Sequence, residues 1–129
     1  MKIKILIVDD HQMFRHGLKT LLSLQKDMEI VGEAENGMDA VSKTQKLHPD
    51  VILMDVNMPV MDGVESTRRI LAEMPDMKIL ALSMCADTGC NSGMMSAGAR
   101  GYILKGGDFK ELTAAIRATA DSGNSQTLQ

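Results

Sequence analysis

Large aromatic residues are nearly missing from this sequence: of 129 residues only Phe14, Phe109 and Tyr102 are phenylalanine or tyrosine, and tryptophan is absent. Twelve methionines stand against them, which predicts a soft core filled by flexible side chains. Cysteine is also scarce. Cys85 and Cys90 have no second pair with which to complete a zinc site. Reduced thiols are the default expectation, and a disulfide or redox pair is the sharper alternative. Long apolar runs are lacking too. The longest aliphatic stretches, Ile5–Val8 and Val51–Met54, fall far short of the ~20 residues that span a bilayer. Met1-Lys2 leads straight into a strand-like run, so no signal peptide is expected and the cytoplasm is the expected location. The formal net charge of −3 lacks the basic footprint of a nucleic-acid binder. What is present is ordinary: 44% apolar and 24% charged residues, in a length suited to one domain.

Five apolar stretches of strand length alternate with amphipathic ones: Ile3–Val8, Glu29–Ala34, Val51–Met54, Lys78–Ser83 and Tyr102–Leu104. The first, third and fourth are near-continuous aliphatic runs, as when both faces of a sheet are covered. The second carries charge and glycine, which suits an edge. Between them, Phe14, Leu18, Leu21 and Leu22 share a helical face, as do Ala40, Val41, Thr44 and Leu47. That second helix should stop before His48-Pro49. Val64, Thr67, Ile70, Leu71 and Met74 form a third stripe closed by Pro75, and Phe109, Leu112 and Ile116 a last one. Asp108 and Glu111 have the spacing of a capping box for that last helix. The segment Asp87–Ala97 should hold the fourth helix, but Gly89, Ser92 and Gly93 are poor formers. A short helix starting near Asn91 or Ser92, after a mobile loop over Asp87–Cys90, is the expectation. The alternation predicts an α/β fold: a flavodoxin-like (βα)5 doubly wound parallel five-stranded sheet, order 2-1-3-4-5. Residues 1–121 are expected to form this domain and residues 122–129 a linker-like tail.

In such sheets the chemistry lies beyond the carboxyl ends of the strands. Asp9 and Asp10 follow the first strand, Asp55 the third, Ser83 ends the fourth and Lys105 follows the fifth. Each alone is commonplace as a turn former, cap or solvated charge. Their convergence at the ends of adjacent strands is not. Close carboxylates repel by about 4 kcal/mol per pair at ~4 Å and an effective dielectric near 20, so the pocket needs a cation. All donors are oxygens, with no His or Cys expected to join them, which favours Mg²⁺. A carboxylate beside a divalent ion and a lysine is equipped to attack phosphorus, and Ser83 to hydrogen-bond a transferring oxygen.

The runs Ile5-Leu6-Ile7-Val8-Asp9-Asp10-His11, Val51-Ile52-Leu53-Met54-Asp55-Val56-Asn57-Met58-Pro59, Leu82-Ser83 and Gly98-Ala99-Arg100-Gly101-Tyr102-Ile103-Leu104-Lys105 resemble those of a bacterial response-regulator receiver domain. The resemblance covers residues 2–121, and Asp10-His11 and Ala114-Ala115-Ile116-Arg117-Ala118 look most like the NarL/LuxR-type subfamily. It implies a phosphorylation-controlled signalling switch in a two-component system, not a separate enzyme. Asp55 would be the phosphoacceptor and a histidine kinase the donor. Asp10 and Asp55 would hold Mg²⁺ with the backbone carbonyl of Asn57, and Asp9 would act mostly through water. Ser83, Lys105 and Tyr102 would be the switch hydroxyl, the phosphate-binding lysine and the aromatic that changes rotamer. Phosphorylation would alter the face of the fourth helix, fifth strand and fifth helix. The output, transcription, would run through a helix-turn-helix DNA-binding domain outside these residues, with homodimerisation as an option and no membrane partner.

Two departures from the family pattern carry expectations. Met84 follows Ser83 where a small residue is common, and is expected to crowd the phosphoryl pocket. Lys105 precedes Gly106 rather than proline, so its peptide bond should be trans. Two rival functions are weaker. A phosphohydrolase working through an aspartyl-phosphate would place a general acid where Asn57 stands, and an amide cannot serve. A flavin or nucleotide carrier needs a glycine-rich loop after the first strand, where Asp9-Asp10-His11-Gln12 stands instead.

Overall fold

The computed structural model describes residues 2–85, 87 and 89–125, with side chains through Ser122. Five strands, β1 (Ile3–Val8), β2 (Met28–Ala34), β3 (Val51–Asp55), β4 (Lys78–Ser83) and β5 (Gly101–Leu104), form one parallel sheet of order 2-1-3-4-5. The helices are α1 (Gln12–Ser23), α2 (Gly37–Leu47), α3 (Gly63–Glu73), α4 (Ser92–Ala97) and α5 (Phe109–Ser125). A 3-10 turn over Gly89–Asn91 leads into α4.

Alternation along the central strands splits the core into two layers. Leu6, Val8, Ile52, Met54, Ile79 and Ala81 face the side covered by α2, α3 and α4. Ile5, Ile7, Val51, Leu53, Leu80 and Leu82 face Leu18 and Leu22 of α1 and Leu112 and Ile116 of α5. Each fully buried aliphatic side chain contributes about 1.5–3 kcal/mol, so these two layers are the main source of stability. Met28, Met54, Met77 and Met94 are buried, filling the place that rings would take. The charged second strand is an edge, as its composition predicts.

Helix limits follow local chemistry. Asn36 caps α2 through Asp39 N–H, and His48 in a left-handed conformation ends it before Pro49. Asp62 caps α3 through Glu65 N–H. Asp108 Oδ1 accepts from Lys110 N–H at the start of α5. The fourth helix begins at Ser92, as its weak formers predict, but the residues before it are tied by the 3-10 turn. Thr88, part of the expected loop, lies outside the described residues. The last helix runs past the expected boundary at residue 121. It continues to Ser125, with Ser122 Oγ accepting from Arg100 Nη1 at 2.9 Å. Residues 126–129 lie outside the described residues.

The loop after β3 depends on one glycine. Gly63 N–H donates to Val56 O at 2.8 Å, and a Cβ there would sit 2.1 Å from the carbonyl oxygen of Asp55. Backbone cannot yield as a side chain does. Gly63→Ala should therefore cost about 2–3 kcal/mol and displace Asp55. Urea denaturation checks the first effect; an unchanged midpoint would show that the loop has slack.

Candidate functional site

Parallel pairing of β1, β3, β4 and β5 brings residues distant in sequence to one crevice at the carboxyl edge of the sheet. Asp9 and Asp55 are buried there, and Asp10 is exposed at the rim. The side chain of Lys105 is only 5% exposed, with Nζ 2.8 Å from Asp9 Oδ2 and 3.5 Å from Asp55 Oδ2. Its ammonium lies 4.8 Å from the centre of the Phe14 ring. Arg15 Nη1 donates to the Asp9 carbonyl at 2.6 Å, tying α1 to the end of β1. The Lys105–Gly106 bond is trans, as expected, and Gly106 has φ +80, a turn that suits glycine.

The electrostatics follow from this packing. Burial, then the charge of Asp9, push the Asp55 carboxyl up to about 6, against the opposing pull of Lys105. One fixed ammonium does not offset three carboxylates. Asp9, Asp10, His11 and Asp55 each offer one donor atom, and these atoms lie within 4.8 Å of one another. The donors are mainly hard carboxylate oxygens, which fits a small hard divalent cation.

His11 corrects the expectation that no histidine joins the cluster. Asp9 Oδ1 accepts from His11 N–H at 2.8 Å, just before α1 begins, and this turns the ring back. Nδ1 then lies 3.2 Å from Asp9 Oδ1, 3.5 Å from Asp10 Oδ1 and 2.9 Å from Lys105 Nζ. The available signal was position: His11 directly follows the carboxylate pair and precedes the helix. Phe14 and Arg15, one turn further along the same helix, were also missed as site neighbours.

The remaining residues are placed as follows. Ser83 is buried at the end of β4, but its hydroxyl donates to Cys85 O at 2.8 Å and accepts from Cys85 N–H at 3.0 Å. Met84 does not crowd the pocket. It is 76% exposed, because Ser83 faces inward and strand alternation sends the next side chain out. Asn57 is exposed in the loop after β3, and Tyr102 is half-buried on β5 against the α2–α4 layer. Cys85 and Cys90 are joined in a disulfide, correcting the default expectation of free thiols. Their Cα atoms lie 6.5 Å apart.

Similarity to known proteins agrees with this geometry. Residues 5–117 match the Response regulator receiver domain family. The chain is 43% identical over 122 residues to the transcriptional regulatory protein DegU of Brevibacillus brevis, covering 95% of this chain and 52% of that protein. It is 42% identical over 120 residues to the response regulator protein VraR of Staphylococcus aureus, covering 93% and 57% respectively. The chain thus spans about half the length of the curated relatives it matches. A two-component response regulator of the LuxR family from Aurantimonas sp. superposes with a TM-score of 0.89 at 30% identity, covering 95% of this chain and 87% of that one. Sheet order, the acidic crevice with its lysine and these relatives agree: the chain belongs to the response-regulator receiver-domain family of two-component signalling.

Proposed function

We propose that Asp55 accepts a phosphoryl group from the phosphohistidine of a histidine kinase, and that the domain acts as a phosphorylation-controlled binding switch in the cytoplasm. The observation that carries this reading is the buried Asp55 carboxylate, set between Asp9 and Lys105 at the crevice. An Asp55 carboxylate oxygen bonds to phosphorus as the P–N bond of the donor breaks. Lys105 offsets charge on the transferring oxygens. Mg²⁺, when held by Asp10, Asp55 and the carbonyl of Asn57, with Asp9 through water, supplies the remaining positive charge. Slow hydrolysis of the aspartyl-phosphate returns the switch to its start, and no separate substrate is turned over.

The switch residues are Ser83 and Tyr102, and the responding face is that of α4, β5 and α5. For this, Ser83 must exchange its bond to Cys85 O for one to the phosphoryl group. Beside the site, a groove of about 340 Å³ lined by Met13, Phe14, Leu18, Ile103, Leu104 and Phe109 opens between α1 and the loop after β5. Its apolar lining next to Lys105 suits the kinase surface that presents the phosphohistidine. The five strands and their helices through α5 supply the receiver function, and an output domain outside these residues is the route through which transcription is controlled. Homodimerisation on phosphorylation would serve that output.

Treatment with a small acyl phosphate and Mg²⁺ should add one phosphoryl group by intact mass, mapped by proteolysis to the peptide holding Asp55. A label on another peptide would overturn the assignment. Mg²⁺ alone should raise the melting temperature, because it relieves carboxylate repulsion and binds only the folded state. Asp10→Ala should lose most of that rise. An equal rise in the variant would exclude Asp10 as a ligand.

A further inference from the structure

The disulfide joins Cys85, two residues past the proposed switch hydroxyl at the end of β4, to Cys90, and the phosphorylation reading does not use it. We propose that Cys85 and Cys90 are a reversible thiol–disulfide site that gates Ser83, so that the receiver responds to thiol redox state as well as to phosphorylation. This rests on the roles given above to Asp55 and Ser83.

One carbonyl group is the pivot. Cys85 O accepts from Ser83 Oγ at 2.8 Å and from Asn91 Nδ2 at 2.9 Å. Asn91 Nδ2 also donates to Asp87 O at 2.9 Å, so this buried amide ties the carbonyls of Cys85 and Asp87 together. A hydroxyl has one hydrogen to donate. While Cys85 O receives it, Ser83 cannot give it to an oxygen on Asp55. The bond from Cys85 to Cys90, the neighbour of Asn91, holds the pivot against its anchor. Without that bond, the hydrogen bonds of Cys85 O and N–H to Ser83 and Asn91 lose their covalent support.

The held arrangement carries its own cost. Asn91 Oδ1 is buried and has no hydrogen-bond partner among the described residues. An unpaired buried acceptor favours any rearrangement that lets it find a donor. Asn91 therefore has a reason to move once the covalent tie is cut. The tie joins residues only five apart in sequence, so it constrains the unfolded chain little and acts locally.

The chemistry is accessible. Cys90 is exposed and Cys85 half-buried. An incoming low-molecular-weight thiolate attacks Cys90 Sγ, the S–S bond breaks and Cys85 leaves as thiolate. A second thiolate attacks the mixed disulfide at the sulfur of the small thiol. This releases Cys90 as thiolate and the small disulfide as the oxidised product. The reverse reaction, with a small disulfide as oxidant, restores the bridge. Disulfides in cytosolic proteins are usually transient and redox-sensing, which matches this use.

The test uses the purified chain equilibrated with dithiothreitol or with oxidised glutathione, then freed of both. Thiol titration should find two free thiols in the first sample and none in the second. With a small acyl phosphate and Mg²⁺, the reduced form should take up phosphoryl several-fold faster than the oxidised form. Cys90→Ser should be fast under both treatments, and Ser83→Ala should show no redox difference. Thiols that stay free under oxidised glutathione, or equal wild-type rates, would overturn the proposal. If neither form is labelled, the phosphoacceptor reading fails separately, and amide exchange of residues 89–95 decides the gate. Slower exchange in the oxidised form supports it, and equal exchange rejects it.

Discussion

Asp55→Asn is expected to take up no phosphoryl group from any donor and, without metal, to be more stable than wild type at pH 7. The first effect follows from removing the nucleophilic oxygen. The second follows from linkage. Asp55 titrates near 3.8 when unfolded and is pushed up to about 6 when folded, first by burial and then by Asp9. Between those values the folded state binds more protons than the unfolded state. Wild-type stability therefore falls as pH rises through that window and stays low above it. A shift of this size corresponds to about 3 kcal/mol at most, at 1.36 kcal/mol per pKa unit. Asparagine is still desolvated and loses its contact with Lys105, so a net gain of about 1–2 kcal/mol is expected at pH 7. The advantage should shrink to a small remainder near pH 4, where Asp55 is protonated in the fold and partly protonated in the unfolded chain. Urea melts at the two pH values measure it. A variant that is less stable at pH 7, or that gains equally at both, would show that the carboxylate is not held against its own charge.

The gain and the loss have one cause. The aspartate proposed as phosphoacceptor is buried beside another carboxylate, and that placement is what destabilises the metal-free fold. Much of this was legible in the sequence. Aliphatic runs at Ile5–Val8, Val51–Met54 and Lys78–Ser83 mark strands covered on both faces, and charge in Glu29–Ala34 marks the edge. Sheet order then brings Asp9, Asp55 and Lys105 together, because strand ends are set by topology and not by side-chain detail. What was not legible depends on the course of short loops. His11 reaches the cluster only because Asp9 accepts its backbone N–H. Ser83 turns to Cys85 and Met84 turns outward because of where β4 ends. The end of α5 is not legible, because Asp121-Ser122-Gly123-Asn124 reads as a linker. Local propensity was overridden there by the preceding helix and by the contact of Arg100 with Ser122.

Lys105→Met should be the most destabilising single change in the crevice, and the one that Mg²⁺ repairs best. Lys105 Nζ is the cation that separates Asp9 and Asp55, at 2.8 and 3.5 Å, and it lies 4.8 Å from the centre of the Phe14 ring. Methionine keeps most of the apolar stem and removes the charge. Breaking a buried pair by removing one partner costs about 3–5 kcal/mol when the remaining charge has no escape. Here there is an escape, since Asp55 already titrates near 6 and can take a proton. The expected loss at pH 7 is therefore about 2–3 kcal/mol. It should shrink toward pH 5, where Asp55 is already protonated in the fold, and grow toward pH 8. Removal of a fixed positive charge from an acidic pocket also strengthens its hold on a free cation. Saturating Mg²⁺ should thus raise the melting temperature of Lys105→Met by more than it raises that of wild type, while Lys46→Met, at an exposed position, should match wild type throughout. A Lys105→Met domain as stable as wild type at pH 7, or one that gains less from Mg²⁺, would mean that the lysine does not balance the carboxylates of this site.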